Sequence, residues 1–206
     1  MSWIRIKWPW ILIPEYKVAY CYHSKAACTS IVASLSEATG RNTVVPHKAF
    51  QGHRLSMIDF WKMSIPEDYF TFTFVRNPFD RLVSCYEDRV IRKKGRGFPR
   101  EFNSKMSFRD FILGVQIIFP GNAHIHPYWN WMIDCKGMLF PDFVGSVETM
   151  DEDWDKLRKV CPIKLPDLRM LNKTNHKNYK SYYTPKTREI VTRLYSDDLI
   201  LFGYTF

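Results

Sequence analysis

The chain has no apolar run approaching the roughly 18 residues that a membrane-spanning helix requires, so no span is predicted. It nowhere contains the G-x-x-x-x-G-K-[ST] spelling, which removes the ordinary signature of ATP- and GTP-hydrolysing loops. It has only five cysteines, at 21, 28, 85, 135 and 161, scattered and odd in number. That is no disulfide framework; a reduced compartment is the simpler expectation, and a soluble cytoplasmic protein is predicted. Internal repeats and interdomain linkers are also absent, so residues 1–206 are expected to form a single domain. Acidic residues are in deficit, 21 against 30 Lys and Arg, which leaves a net charge of +9. Such an excess suits an anionic partner: a phosphorylated cofactor, an acidic polymer, a nucleic acid or a membrane surface.

What is present begins with Phe70-Thr71-Phe72-Thr73-Phe74-Val75-Arg76-Asn77-Pro78-Phe79-Asp80-Arg81-Leu82-Val83-Ser84. Phe and Thr alternate with the period of a strand. Asn77 is a good N-cap, Pro78 fits the first helical position, and Asp80 suits the positive end of the helix dipole. Phe79, Leu82, Val83 and Tyr86 then make one apolar stripe, which leaves Arg81, Ser84 and Asp88 on another face. Ser84 points the same way as the cap, about 10 Å further along the axis at ~1.5 Å per residue. A guanidinium fork from Arg76 and a hydroxyl from Ser84, on one side of a helix start, make a small anion site suited to phosphate.

Other elements follow from periodicity and caps. Trp8–Pro14 reads as a strand or packing arm and Lys17–Tyr22 as a strand. A helix capped by Thr29 or Ser30 presents Ile31, Val32, Leu35 and Ala38 to a core and ends at Gly40. Leu55–Lys62 reads as a short helix, 92–105 as a basic loop, and Ser107 as the cap of a helix through Gly114–Gln116. Asp142–Val147 reads as a strand, Thr149 and Glu152 as a capping box, and Thr184-Pro185 as the start of a last helix. Strands alternating with helices predict an α/β domain with a central parallel sheet flanked by helices.

Between the first of these strands and its helix lies Tyr22-His23-Ser24-Lys25-Ala26-Ala27-Cys28-Thr29-Ser30. Small residues let backbone amides approach a ligand, and Lys25, Thr29 and Ser30 add donors at a helix start. Alone, this is a common capped helix. Beside the Arg76 junction at the carboxyl edge of a parallel sheet, it predicts two anion pockets for a ligand with phosphates at both ends.

These segments resemble those of the carbohydrate sulfotransferases that use 3′-phosphoadenosine 5′-phosphosulfate (PAPS). Lys25–Ser30 resembles their 5′-phosphosulfate loop, and Phe74–Ser84 their 3′-phosphate motif in the form found in the Golgi enzymes. Gln51–Phe60 is similar to the segment that carries the catalytic histidine of heparan sulfate 2-O-sulfotransferase. Asn122-Ala123-His124-Ile125-His126-Pro127 resembles a motif of the chondroitin and HNK-1 sulfotransferases. The resemblance implies a P-loop-NTPase-like sulfotransferase fold and an in-line sulfuryl transfer from PAPS to a hydroxyl-bearing acceptor, a glycan first of all, with PAP as product.

It also implies roles. His53 is the base for the acceptor hydroxyl, and Lys25 stabilises the leaving group. Lys25, Ala26, Ala27, Cys28, Thr29 and Ser30 hold the 5′ end of the donor, Arg76 and Ser84 its 3′-phosphate, and His124 and His126 fall on the acceptor side. Lys173, Lys177, Tyr179 and Tyr183 fall where a donor-covering loop is expected. No metal is required, and the spacing of His124, His126 and Cys135 matches no standard zinc pattern. Two other readings stay open on the residues alone: a divergent nucleotide kinase, and a basic nucleic-acid-binding module, which lacks a recognition element and is not expected.

Overall fold

The structure, a computed structural model, describes residues 10–41, 65–93, 95–133, 138–171 and 177–206. These residues divide into two compact units, Met1–Val75 with Asn130–Asn172 and Arg76–Trp129 with Lys173–Phe206.

The first unit is built on a four-stranded sheet in the order β1 (Trp10–Ile13), β2 (Val18–Cys21), β3 (Phe70–Val75) and β4 (Phe143–Ser146). β2, β3 and β4 are parallel, whereas β1 folds back antiparallel onto β2 through a single turn at Pro14–Tyr16. The predicted parallel sheet is thus three strands wide, with an antiparallel edge. The runs of β1 and β2 are continuously apolar because both faces are covered. On one face Ile11, Ile13, Tyr20, Phe72 and Phe74 pack with Ile31, Val32 and Leu35 of helix α1 (Cys28–Ala38), and with Met150, Trp154 and Leu157 of α4 (Met150–Val160). On the other face, Trp10 donates through Nε1 to the Trp131 carbonyl at 3.1 Å and stacks on Phe140.

The Phe/Thr alternation of β3 reflects this two-sided burial. The phenylalanines fill the core, and the threonines satisfy themselves by hydrogen bonding. Thr71 donates from its hydroxyl and its backbone N–H to Asp142 Oδ2, at 2.8 and 2.7 Å. Thr73 donates to the Cys21 carbonyl at 2.9 Å, which ties β3 to β2. Gly145 in β4 is a steric requirement, since a Cβ there would come within 2.4 Å of the Phe74 ring.

The second unit is helical: α2 (Pro78–Cys85), running on into a π-helical turn at Tyr86–Arg92, then α3 (Phe108–Ile118), α5 (Pro185–Leu194) and α6 (Ser196–Leu201). Its core joins Phe79, Leu82 and Val83 of α2 to Phe111, Ile112 and Val115 of α3 and to Ile190 and Val191 of α5. The apolar stripe read from the sequence is this contact face.

Several expected caps are present. Asn77 Oδ1 accepts from the Phe79 N–H at 3.0 Å, with Pro78 at the first helical position. Ser107 accepts from the Asp110 N–H, and Thr184 and Thr187 form a reciprocal capping box. Two caps differ from expectation. α1 starts from Ala27 in the left-handed region, with no side chain capping it, rather than from Thr29 or Ser30. Thr149 turns its hydroxyl to Asp153 Oδ2 at 2.6 Å, because that carboxylate lies one turn along and competes with the helix amides for it. The short helix expected over 55–62 lies outside the described residues.

Candidate functional site

β2 and β3 are adjacent and parallel, with Cys21 paired to Thr73, so the chain leaves both strands at the same edge of the sheet. This is the edge at which open α/β sheets bind their ligands.

After β2, residues 24–27 form a tight turn whose Ala26 N–H bonds back to the His23 carbonyl at 3.3 Å. Lys25 and Ala27 take positive φ, +72° and +53°; they are two of the three non-glycine residues with this sign among the described residues. Left-handed backbone at a residue with a Cβ costs on the order of 1–3 kcal/mol, and such strain collects at ligand clamps. It is also the conformation used where backbone N–H groups converge on an anion. Lys25 and Thr29 are half-buried, Ala26 is fully buried, and Cys28 is the first residue of α1. Ser30 is fully buried, and its hydroxyl accepts from the Leu171 N–H at 2.8 Å. His23, which the sequence reading passed over, is fully buried against the Trp131 ring at 5.6 Å, with Nε2 3.4 Å from Met132 Sδ.

After β3, Arg76 leads into α2. Its Nε and Nη2 both reach Asp80 Oδ2, at 2.9 and 2.8 Å, and the two side chains retain only 13% and 20% of their exposure. The carboxylate at the helix start fixes the guanidinium plane instead of merely balancing the dipole. Asn77 is anchored from both ends of its side chain, since Nδ2 donates to the Thr205 carbonyl at 2.8 Å.

Ser84 lies on α2 and is 2% exposed. The face expected to be polar is therefore interior, for Arg81 and Asp88 are buried as well. Asp88 is met by Lys93 at 3.2 Å, by Arg89 at 3.4 Å and by Arg92. Arg81 Nη2 donates to the His126 carbonyl at 2.5 Å, the guanidinium lies over the Tyr128 ring at 3.8 Å, and Asp198 is 3.9 Å away.

His124 and His126 lie in the 120–129 loop of the second unit. The His124 N–H donates to Asn122 Oδ1 at 2.9 Å, and its ring stacks on Phe98. His126 is nearly buried, and its Nδ1 meets the Pro120 carbonyl at 2.9 Å. Burial pushes its pKa below the usual histidine value, and the nearby Arg81 charge acts in the same direction. Tyr183 is partly buried against the core of the second unit: its O–H donates to the Phe79 carbonyl at 2.9 Å, and burial holds that phenol protonated. An open cavity of about 740 Å³ in this unit is lined by Tyr183, Thr184, Arg188, Arg193 and Phe206 among others, and includes neither Arg76 nor Ser84. His53, Cys135 and Lys173 lie outside the described residues. Among the described residues no cluster of His, Cys, Asp and Glu is arranged to hold a metal.

The chain is similar to carbohydrate sulfotransferase 11 of Rattus norvegicus, 23% identical over 93% of this chain and 65% of that protein. It is 26% identical to carbohydrate sulfotransferase 14 of Danio rerio over 92% of this chain and 60% of that protein. It is 24% identical to carbohydrate sulfotransferase 12 of Mus musculus, over 94% and 59%. The chain thus spans less than two thirds of the length of these relatives. No solved structure matches.

The expectation of a cytoplasmic protein is overturned by this kinship, since the relatives are carbohydrate sulfotransferases, enzymes typically bound to Golgi membranes. The inference failed because scattered cysteines argue only against a disulfide framework and do not report a compartment. The four described cysteines are in no disulfide, and among the described residues no helix is long and apolar enough to cross a membrane. A sequence model of the sulfotransferase family matches residues 8–205, nearly the whole chain, and the protein belongs to that family.

Proposed function

We propose that residues 1–206 work as one sulfotransferase domain that moves a sulfuryl group from PAPS to a carbohydrate hydroxyl. The observation that carries this reading is topological. Adjacent parallel strands β2 and β3 each run from their carboxyl end into a helix through a junction that bears a cation, Lys25 in one and Arg76 in the other. The family match and the carbohydrate sulfotransferase relatives support it.

The residues suit a donor with phosphate at both ends. The left-handed turn at Lys25–Ala27 and the start of α1, with Thr29 and Ser30, are assigned to the 5′ end. Arg76, oriented by Asp80, is assigned with Ser84 to the 3′-phosphate, the group that separates this donor from ATP. PAPS supplies an activated sulfuryl group whose departure leaves negative charge on a phosphate oxygen. Lys25 is the fixed cation for that charge, and His53 is the base that takes the acceptor proton, since a histidine titrates near working pH. Sulfuryl transfer, like phosphoryl transfer, depends mostly on positioning and charge stabilisation, which fixed side chains and amides supply.

The test is incubation with ³⁵S-labelled PAPS and a panel of glycans, lipids and small alcohols, with parallel titrations of 3′,5′-adenosine bisphosphate and ATP. Label transferred to a glycan, together with preference for the 3′-phosphorylated nucleotide, is the expected result. Preference for ATP with no label transferred would instead support a nucleotide kinase.

A further inference from the structure

In the second unit, three side chains from two helical regions grip the backbone of one loop. From α2, Arg81 donates to the His126 carbonyl at 2.5 Å. From α6, the two oxygens of Asp198 accept from the Tyr128 and Trp129 N–H groups, both at 2.9 Å. Tyr195, between α5 and α6, donates its hydroxyl to the Ile125 carbonyl. Arg81 and Asp198 also pair with each other at 3.9 Å, both essentially without solvent exposure. Arg81 lies over the Tyr128 ring at 3.8 Å, and its Nε and Nη1 make no hydrogen bond.

Such an arrangement is costly as a stability device. A buried ion pair roughly breaks even against apolar residues of the same volume, and unbonded guanidinium nitrogens make the balance worse. What the charges supply, and apolar residues cannot, is directional hold on three polar backbone groups of residues 126–129. That loop carries His124 and His126, and Arg81 projects from the same helix as Ser84.

We propose that Arg81 and Asp198 are positioning residues for the acceptor side of the reaction, fixing the His124–Trp129 backbone relative to helix α2. This rests on the sulfotransferase reading and on the assignment of the two histidines to the acceptor. Neither residue touches substrate; they act through the loop they hold.

The test compares the wild-type protein with R81K, D198N and the double variant R81M/D198L. The double variant nearly keeps the buried volume and removes both charges, so it avoids the uncompensated ion that a single loss leaves, and a thermal melt checks that it is folded. Acceptor KM is expected to rise by about ten- to a hundredfold in the double variant, as displaced positioning groups do elsewhere, while the Kd for 3′,5′-adenosine bisphosphate stays within about twofold. Amide hydrogen exchange at Tyr128 and Trp129 is expected to quicken in the double variant and in D198N. R81K, which keeps the charge but not the planar fork, is expected to fall between. A double variant with wild-type acceptor KM and unchanged exchange at those two amides overturns the proposal. So does an equal loss of nucleotide and acceptor binding, which would mark a merely structural role. If the wild-type protein transfers no label to any acceptor, the functional reading has failed, and the exchange rates still decide whether the pair holds the loop.

Discussion

Arg76 is held in plane by Asp80: Nε at 2.9 Å and Nη2 at 2.8 Å converge on one carboxylate oxygen a single helical turn away. A guanidinium fixed in this way gives up little rotamer entropy when an anion arrives.

Replacing Arg76 with Ala is expected to weaken 3′,5′-adenosine bisphosphate by ~2–3 kcal/mol, or about 30- to 150-fold. The affinity for 5′-AMP should hardly change. Calorimetric titration of both nucleotides checks this; equal losses for the two would remove Arg76 from the 3′-phosphate.

His53→Ala is expected to lower kcat by a factor of about 10² to 10⁴, the usual worth of a general base. Nucleotide affinity should persist, because the proton acceptor plays no part in gripping the donor. Normal turnover by this variant would defeat the assignment.

His126 titrates with a sign that can be worked out. Burial depresses its folded pKa below the unfolded one, so the unfolded chain binds the extra proton first as the pH falls. The stability linked to neutral His126 is complete above the usual histidine value near 6.5 and is lost as the pH drops toward and through the depressed folded value. Thermal melts at stepped pH should show His126→Gln losing less stability than the wild type over that window. Parallel curves would exclude the linkage.

Gly145→Ala introduces a Cβ that would lie 2.4–2.8 Å from three Phe74 ring atoms, between β3 and the edge strand β4. Overpacking of this kind costs roughly 1–3 kcal/mol. Urea unfolding should register it as a lower midpoint with an unchanged slope.

What the sequence reveals and what it conceals divides along physical lines. The passage from β3 through Asn77 and Pro78 into α2 is legible because each choice there is local: strand alternation, a capping side chain, a ring that pre-sets φ. The position of Arg76 at that junction shares this clarity, whereas its pairing with Asp80 does not, since Asp80 reads from the sequence only as a dipole partner. Arg81 is legible only as lying off the apolar stripe; its burial is hidden, because its counter-charge and its aromatic platform come from Asp198 and Tyr128, residues that periodicity within α2 cannot register. Ala27 as the start of α1 was illegible for another reason: a left-handed alanine is imposed by the turn around it and carries no compositional mark. Helix α6 went unread because its six residues are too few to display a period.

The order of the strands along the chain has a consequence for biosynthesis. β3 emerges with only β2 to pair with, and its other neighbour, β4, lies beyond the whole Arg76–Trp129 stretch of the helical unit. A nascent chain stalled before Phe143 therefore exposes one edge of its longest strand. Truncated products ending there should be the ones that chaperones retain.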